Sequence, residues 1–375
     1  MILGVLKEAE PERRVSVLPE HVKKLMDLGY SEVWIENKAG EASFQADSNY
    51  SDAGATVKSR KDILAGAQVI LSIQTPKESE ISPEKILITQ MNPLSNPETA
   101  QVFAKKGVSV FSMDMVPRTT KAQAMDVLSS MATSAGYKAV LQAALHLPKF
   151  FPMFMTAAGT ITPAKVLILG AGVAGLQAIS TAKRLGGVVE AFDVRAAAKE
   201  EVLSLGAKFV EVEGATDDTS AGGYAVEQTE EYKQRQAALI QEHAIKSDVI
   251  ICTAQIPGRT APLLIQEETL HKMKPGSIVV DLAASTGGNC ALTKNNETVV
   301  VNGVSIIGDS NLASTIPLDS SKMYGKNLIN FFKEVIAEGA INFDFENEII
   351  HHTCVSHGGA IISPRVLDKF SSVTS

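Results

Sequence analysis

Short apolar runs alternate with helix-period segments along most of this chain. Residues 2–6, 33–36, 69–73, 86–89 and 108–112 have the length and composition of buried strands, with helical segments between them. Residues 19–28 predict a helix, with Pro19 suited to its first turn and Gly29 just past its end. From Lys121 the period is helical to about Leu147, long enough to bridge two domains. Residues 150–162 are an apolar, proline-bearing connector. The rhythm then resumes, with strands expected at 166–169, 188–192, 207–212, 249–252, 277–281, 299–301 and 305–307. Helices are expected at 173–185, 196–205 and 324–337, the last running back to the first domain.

One stretch carries chemistry on its face. The run 166–169 leads into Gly170-Ala171-Gly172-Val173-Ala174-Gly175, then a helix, a second strand and Asp193. Strand, GxGxxG, helix, strand and acid, in that order, form the dinucleotide-binding fingerprint. Gly170 permits the tight turn, Gly172 lets backbone amides approach a pyrophosphate, and Gly175 lets helix and strand pack closely. Asp193 is placed to accept from an adenosine ribose, and its charge favours NAD(H) over NADP(H). Arg195, with Val194 between them, is the ambiguous neighbour, since an arginine can greet a 2′-phosphate. The expected fold class is α/β, with two doubly wound, mostly parallel, Rossmann-like domains joined by long helices with a cleft between them. The first is discontinuous, residues 1–130 plus 326–375, and the cofactor domain is 131–325.

Three further segments are candidates. Arg118, Gln123, Asp126 and Ser130 precede or open the long helix; on a helix from Lys121, Gln123, Asp126 and Ser130 share a face beside Ser129. Spacing alone fits better a solvated helix start with an Arg118–Asp126 ion pair. Residues 211–235 hold Glu211, Glu213, Asp217, Asp218, Glu227, Glu230 and Glu231 with a Gly-Gly-Tyr ending at Tyr224. That is either a mobile flap carrying a docking aromatic or an acidic loop. Thr253, Ala254 and Gln255 follow a strand and belong at the ligand end of a parallel sheet.

Composition narrows the rest. A net charge of −7 argues against nucleic acid and anionic lipid as direct partners. Cys252, Cys290 and Cys354 are scattered without metal spacing, and no metal is expected. No apolar run approaches the ~18 residues of a membrane span, so direct membrane insertion is not expected.

Taken together, GVLKE and RRVSVLP within 4–19, AGEASF at 39–44, AGYKAV at 135–140, TAAGTITPAKVLILGAGVAGLQAI and KPGSIVVDLA with its following Gly-Gly resemble one family across the chain to about Pro364. It contains alanine dehydrogenase and the NAD(H)-binding component of proton-translocating (Si-specific) transhydrogenase. The proton-handling lysine, histidine and aspartate of alanine dehydrogenase are replaced here by Gln74, Asn92 and Ser285, while Arg14 is kept. Direct hydride transfer to an NADP⁺ held by a partner needs no such groups. The resemblance assigns ring orientation to Arg118, Gln123 and Asp126, with Ser129 and Ser130 near the carboxamide, and loop closure to Tyr224. It also implies a homodimer with NADP(H)-binding and membrane-spanning partners, docked on the cytoplasmic face of the inner membrane through them. Alanine dehydrogenation and a non-catalytic NAD(H) sensor are the rival readings.

Overall fold

The computed structural model describes residues 1–211, 229–256 and 258–371. Two units share the winding 3-2-1-4-5 of the first five strands of their large sheets: Met1–Met131 with Ala313–Ser375, and Ala132–Leu312. In the first, β1 (Ile2–Val5), β2 (Glu32–Glu36), β3 (Thr56–Lys58), β4 (Val69–Gln74), β5 (Ile86–Gln90) and β6 (Ser109–Ser112) pair in parallel as 3-2-1-4-5-6. Helices α1 (Pro19–Asp27), α2 (Asp47–Asp52), α3 (Arg60–Gly66) and α4 (Pro97–Lys105) make the connections. The central strands are buried over most of their length, hence their largely apolar runs. Half-exposed β3 lacks such a run, so the apolar pattern does not show it.

The long helix, α5 (Val127–His146), carries the chain into the second unit. It starts six residues later than the period suggests. Asp126 is extended (φ −71°, ψ 93°), and its side chain accepts from the Ser129 N–H, making it the N-cap. Gln123–Met125 is a separate 3-10 turn. Gln123, Asp126 and Ser130 therefore do not share a helix face.

The 150–162 connector contains a small hairpin, β7 (Phe154–Thr156) with β8 (Gly159–Ile161), all six strand residues exposed. The second sheet follows: β9 (Lys165–Leu169), α6 (Val173–Arg184), β10 (Val188–Phe192), α7 (Ala198–Ser204), β11 (Lys208–Phe209), α8 (Glu230–Lys246), β12 (Val249–Cys252), α9 (Glu267–Lys272), β13 (Ile278–Asp281), β14 (Thr298–Val301) and β15 (Val304–Ile307). Its order is β11-β10-β9-β12-β13-β15-β14, antiparallel only at β14. The order reverses between β9 and β12, where parallel sheets of this winding open a ligand crevice.

The return begins at Ala313, ahead of α10 (Pro317–Val335), a helix longer at its start than expected and buried along one side. The hairpin of β16 (Ile336–Ala337) and β17 (Ala340–Ile341) and helix α11 (Glu348–Thr353) lead to β18 (Cys354–His357), which pairs antiparallel with β6. β19 (Ala360–Ile361) closes the first sheet's edge, and α12 (Pro364–Ser371) follows. Among the described residues no helix is long and apolar enough to cross a membrane.

Candidate functional site

The three glycines of the β9–α6 loop are there for different reasons. Gly170 has φ +98°, and a Cβ on it would lie 2.6 Å from the Thr253 hydroxyl. A Cβ on Gly175 would lie 1.9 Å from the Gly170 carbonyl oxygen. Those two the protein needs for itself. Gly172 has negative φ, and a Cβ there would meet no atom within 4 Å. Nothing in the fold forbids a side chain at Gly172, so its backbone is left open to approach. Gly172 is also the N-cap of α6, with no side-chain cap and no acid in the first turn, so the amides of Val173, Ala174 and Gly175 are left for an anion. Behind the loop, a Cβ on Gly136 of α5 would lie 2.1 Å from the Ala174 carbonyl, which accounts for a glycine in the AGYKAV motif.

Asp193 follows β10, and its Oδ2 accepts from the Ala171 N–H at 2.7 Å. This bond sets the carboxylate beside the glycine loop. Arg195 pairs with the same carboxylate, Nε to Oδ1 and a terminal nitrogen to Oδ2, both at 2.9 Å. That contact and its hydrogen bonds raise the guanidinium's pKa further. Val194 between them is exposed.

Across the reversal point, the Thr253 hydroxyl donates to the carbonyls of Leu169 (3.2 Å) and Gly170 (2.9 Å), pinning β12 to the loop. Ala254 exchanges two hydrogen bonds with the buried Asn289 side chain, and the Gln255 amide donates to Leu282 O at 2.9 Å. Asn289 is fixed in turn by the fully buried Asp281, whose carboxylate accepts from the Ala283, Asn289 and Cys290 N–H groups and the Thr293 hydroxyl. Sequence reasoning missed this pair. An acid ending an apolar strand just before Gly-Gly-Asn was the available signal. Tyr224 and most of the 211–235 insertion lie outside the described residues.

In the first unit, Asp126 is held by Ser129, whose N–H and hydroxyl donate at 2.9 and 2.6 Å. The Arg118–Asp126 ion pair is not formed. Arg118 and Gln123 are exposed, and among the described residues their side chains have no hydrogen-bond or ion-pair partner. Ser130 is half-buried in the first turn of α5.

The reversal point of the first sheet lies between β1 and β4, and a protein carboxylate bridges it. Glu8 accepts from the Ile73 and Gln74 N–H groups at 2.6 and 2.9 Å. Burial pushes its carboxyl up to about 7. Beside it Glu12 grips Arg14 with both oxygens, at 2.8 and 2.6 Å, and accepts the Arg14 N–H as well. Glu12 is nearly buried, at 7 % exposed. Glu12 thus fills the Nε–Nη2 edge of the Arg14 fork, while among the described residues the Arg14 Nη1 group makes no hydrogen bond. Gln74, Asn92 and Ser285 are all exposed, neutral side chains.

Fold and loop define a two-unit α/β protein of the dinucleotide-binding class. Residues 4–135 match the N-terminal domain of the alanine dehydrogenase/PNT family and residues 139–364 its C-terminal domain, so the chain belongs to that family. It is 43% identical over 378 residues, 97% of this chain and 98% of the other, to an NAD(P) transhydrogenase subunit alpha chain of Rhodospirillum rubrum. A crystal structure of a transhydrogenase from Sinorhizobium meliloti superposes with a TM-score of 0.87 at 43% identity, over 96% of this chain and all of that one. An L-alanine dehydrogenase structure shares the fold, with a TM-score of 0.81 at 22% identity over all of both chains.

Proposed function

We infer that this chain is the NAD(H)-binding subunit of a proton-translocating transhydrogenase, passing hydride directly between NADH and an NADP⁺ held on a partner. The bound dinucleotide supplies the hydride. The amides following Gly172 hold its pyrophosphate, and Asp193 takes its adenosine ribose. Arg118 and Gln123, whose side chains have no partner among the described residues, orient the reacting rings with Asp126, Ser129 and Ser130. None of these five has to accept or release a proton, which suits a reaction that exchanges none at the reacting carbon.

The observation that carries this reading over amino-acid dehydrogenation is that Gln74, Asn92 and Ser285 are exposed, neutral side chains. Oxidising an amino acid needs a cation for its carboxylate and a base for its ammonium. Glu12 holds one edge of the available cation, Arg14, and Gln74, Asn92 and Ser285 supply no base. The 40–43% identity to chains named as transhydrogenase alpha subunits points the same way.

The NADP(H)-binding and membrane-spanning components are separate partners in this reading, and they bring the subunit to the cytoplasmic face of the inner membrane. The homodimer has support in exposed Phe150, Met153, Phe154, Met155 and Ile161 on and beside the β7–β8 hairpin, apolar surface suited to a second copy. The test mixes the purified chain with an NADP(H)-binding transhydrogenase component and follows reduction of an NADP⁺ analogue by NADH. Exchange is expected, with no NADH formed from NAD⁺ and L-alanine. Turnover of alanine would overturn the reading. NADH binding without exchange would favour a sensor.

A further inference from the structure

The carboxylate given above to a ribose is already full. A carboxylate offers about four lone-pair directions. On Asp193, Oδ2 takes the Ala171 N–H at 2.7 Å and an Arg195 guanidinium nitrogen at 2.9 Å. Its Oδ1 takes the Arg195 backbone N–H at 2.8 Å and the Arg195 Nε at 2.9 Å. Two of these four donors are backbone, built into the turn. The other two form a fork on a side chain that rotates. Arg195 keeps 34% of its side chain exposed and Asp193 only 7%, so it is the arginine that has somewhere to go.

We propose that Arg195 is an internal stand-in for the ribose and the residue that sets how strictly this site separates NAD(H) from NADP(H). The inference rests on the nucleotide reading above. Ribose hydroxyls reach Asp193 only by displacing the guanidinium, so every nucleotide with a free 2′-hydroxyl binds against a competitor inside the chain. The displaced cation stays tethered two residues from the carboxylate. There it offsets the repulsion that Asp193 exerts on a 2′-phosphate. Both effects act in one direction: Arg195 loosens binding of the unphosphorylated nucleotide, tolerates the phosphorylated one, and narrows the gap between them. Asp193 alone would be the stricter filter.

The experiment measures binding of NADH, NADPH, 5′-AMP and 2′,5′-ADP to the full chain, R195A and R195Q by titration calorimetry. The two mononucleotides isolate the adenosine end and need no partner subunit. In R195A the affinity for NADH and 5′-AMP is expected to rise about three- to tenfold while that for the 2′-phosphorylated pair falls. The preference then widens about tenfold or more. R195Q, which keeps most of the side-chain length and loses the charge, is expected between parent and R195A. It carries the comparison should R195A lose its parent-like circular dichroism and thermal midpoint. A preference that stays within twofold of the parent, or narrows, in a folded variant overturns the role of Arg195 and leaves the nucleotide reading standing. Failure of the parent chain to bind NADH or 5′-AMP overturns that reading, and this inference with it.

Discussion

The carbonyl oxygen of Gly170 stands 1.9 Å from where a β-carbon on residue 175 would lie, whereas a β-carbon on residue 172 would touch nothing. The two glycines therefore separate stability from binding. Gly175→Ala is expected to cost about 1–3 kcal/mol by forcing α6 off β9. Gly172→Ala is expected to leave stability within about 0.5 kcal/mol of the parent and to lower NADH affinity at least tenfold. Thermal denaturation and NADH titration on both variants decide it. Equal destabilisation, or undiminished binding by the 172 variant, would leave the loop as a packing turn.

The Gln123 side chain is exposed and has no hydrogen-bond partner among the described residues. Shortening it in Gln123→Asn is expected to slow NADH-to-NADP⁺-analogue exchange about tenfold or more, with NADH affinity within about twofold, because misplaced rings lose near-attack geometry. Unchanged exchange would remove Gln123 from the reacting site.

The Glu12–Arg14 pair is buried, and removing one partner strands the other charge. Glu12→Ala is expected to destabilise the first unit by about 3–5 kcal/mol in urea denaturation. It opens the Nε–Nη2 edge of the guanidinium yet supplies no base, so NAD⁺ and L-alanine should still yield no NADH. Alanine turnover by this variant would show that Glu12 alone separates the two chemistries.

Two buried groups give the first unit opposing pH slopes. Burial raises Glu8 to about 7 from 4.5, so between those values the folded chain keeps a proton the unfolded chain has released, and stability falls as pH rises. Burial lowers His21 to about 4 from 6.5; its Nδ1 accepts the Leu18 N–H, and stability rises with pH across that window. The slopes cancel from about 4.5 to 6.5. Glu8→Gln removes one of them, so its urea midpoint is expected to climb from pH 4.5 to 6.5, by up to about 3 kcal/mol in free energy. A variant profile as flat as the parent's would rule this balance out.

What the residues announce in advance is what they settle locally. Gly175 meets Gly170 within one loop and Asp193 meets Ala171 only 22 positions back, inside a single strand–helix–strand unit, so that unit is legible in the residues. The apolar period misplaces the start of α5 because Ala122 and Met125 carry it through a 3-10 turn, while the true signal is Asp126 with Ser129 three positions on. Closure of the first sheet by β18 cannot be seen, since its partner β6 lies over 240 residues earlier. Nor can the close approach of Gly136 to Ala174, or the choice of Arg195 to fold back on Asp193. Each depends on where two distant or rotatable groups come to rest.

The pairing of β18 with β6 also dictates a timetable on the ribosome. Every strand of the second sheet has been synthesised once Leu312 emerges, and that unit can fold while the tail is still being made. The first unit must wait with β6 as an open edge until Cys354–His357 arrives. The unit begun first is thus finished last, and a nascent chain stalled near residue 350 would hold one completed unit and one sticky, unfinished sheet.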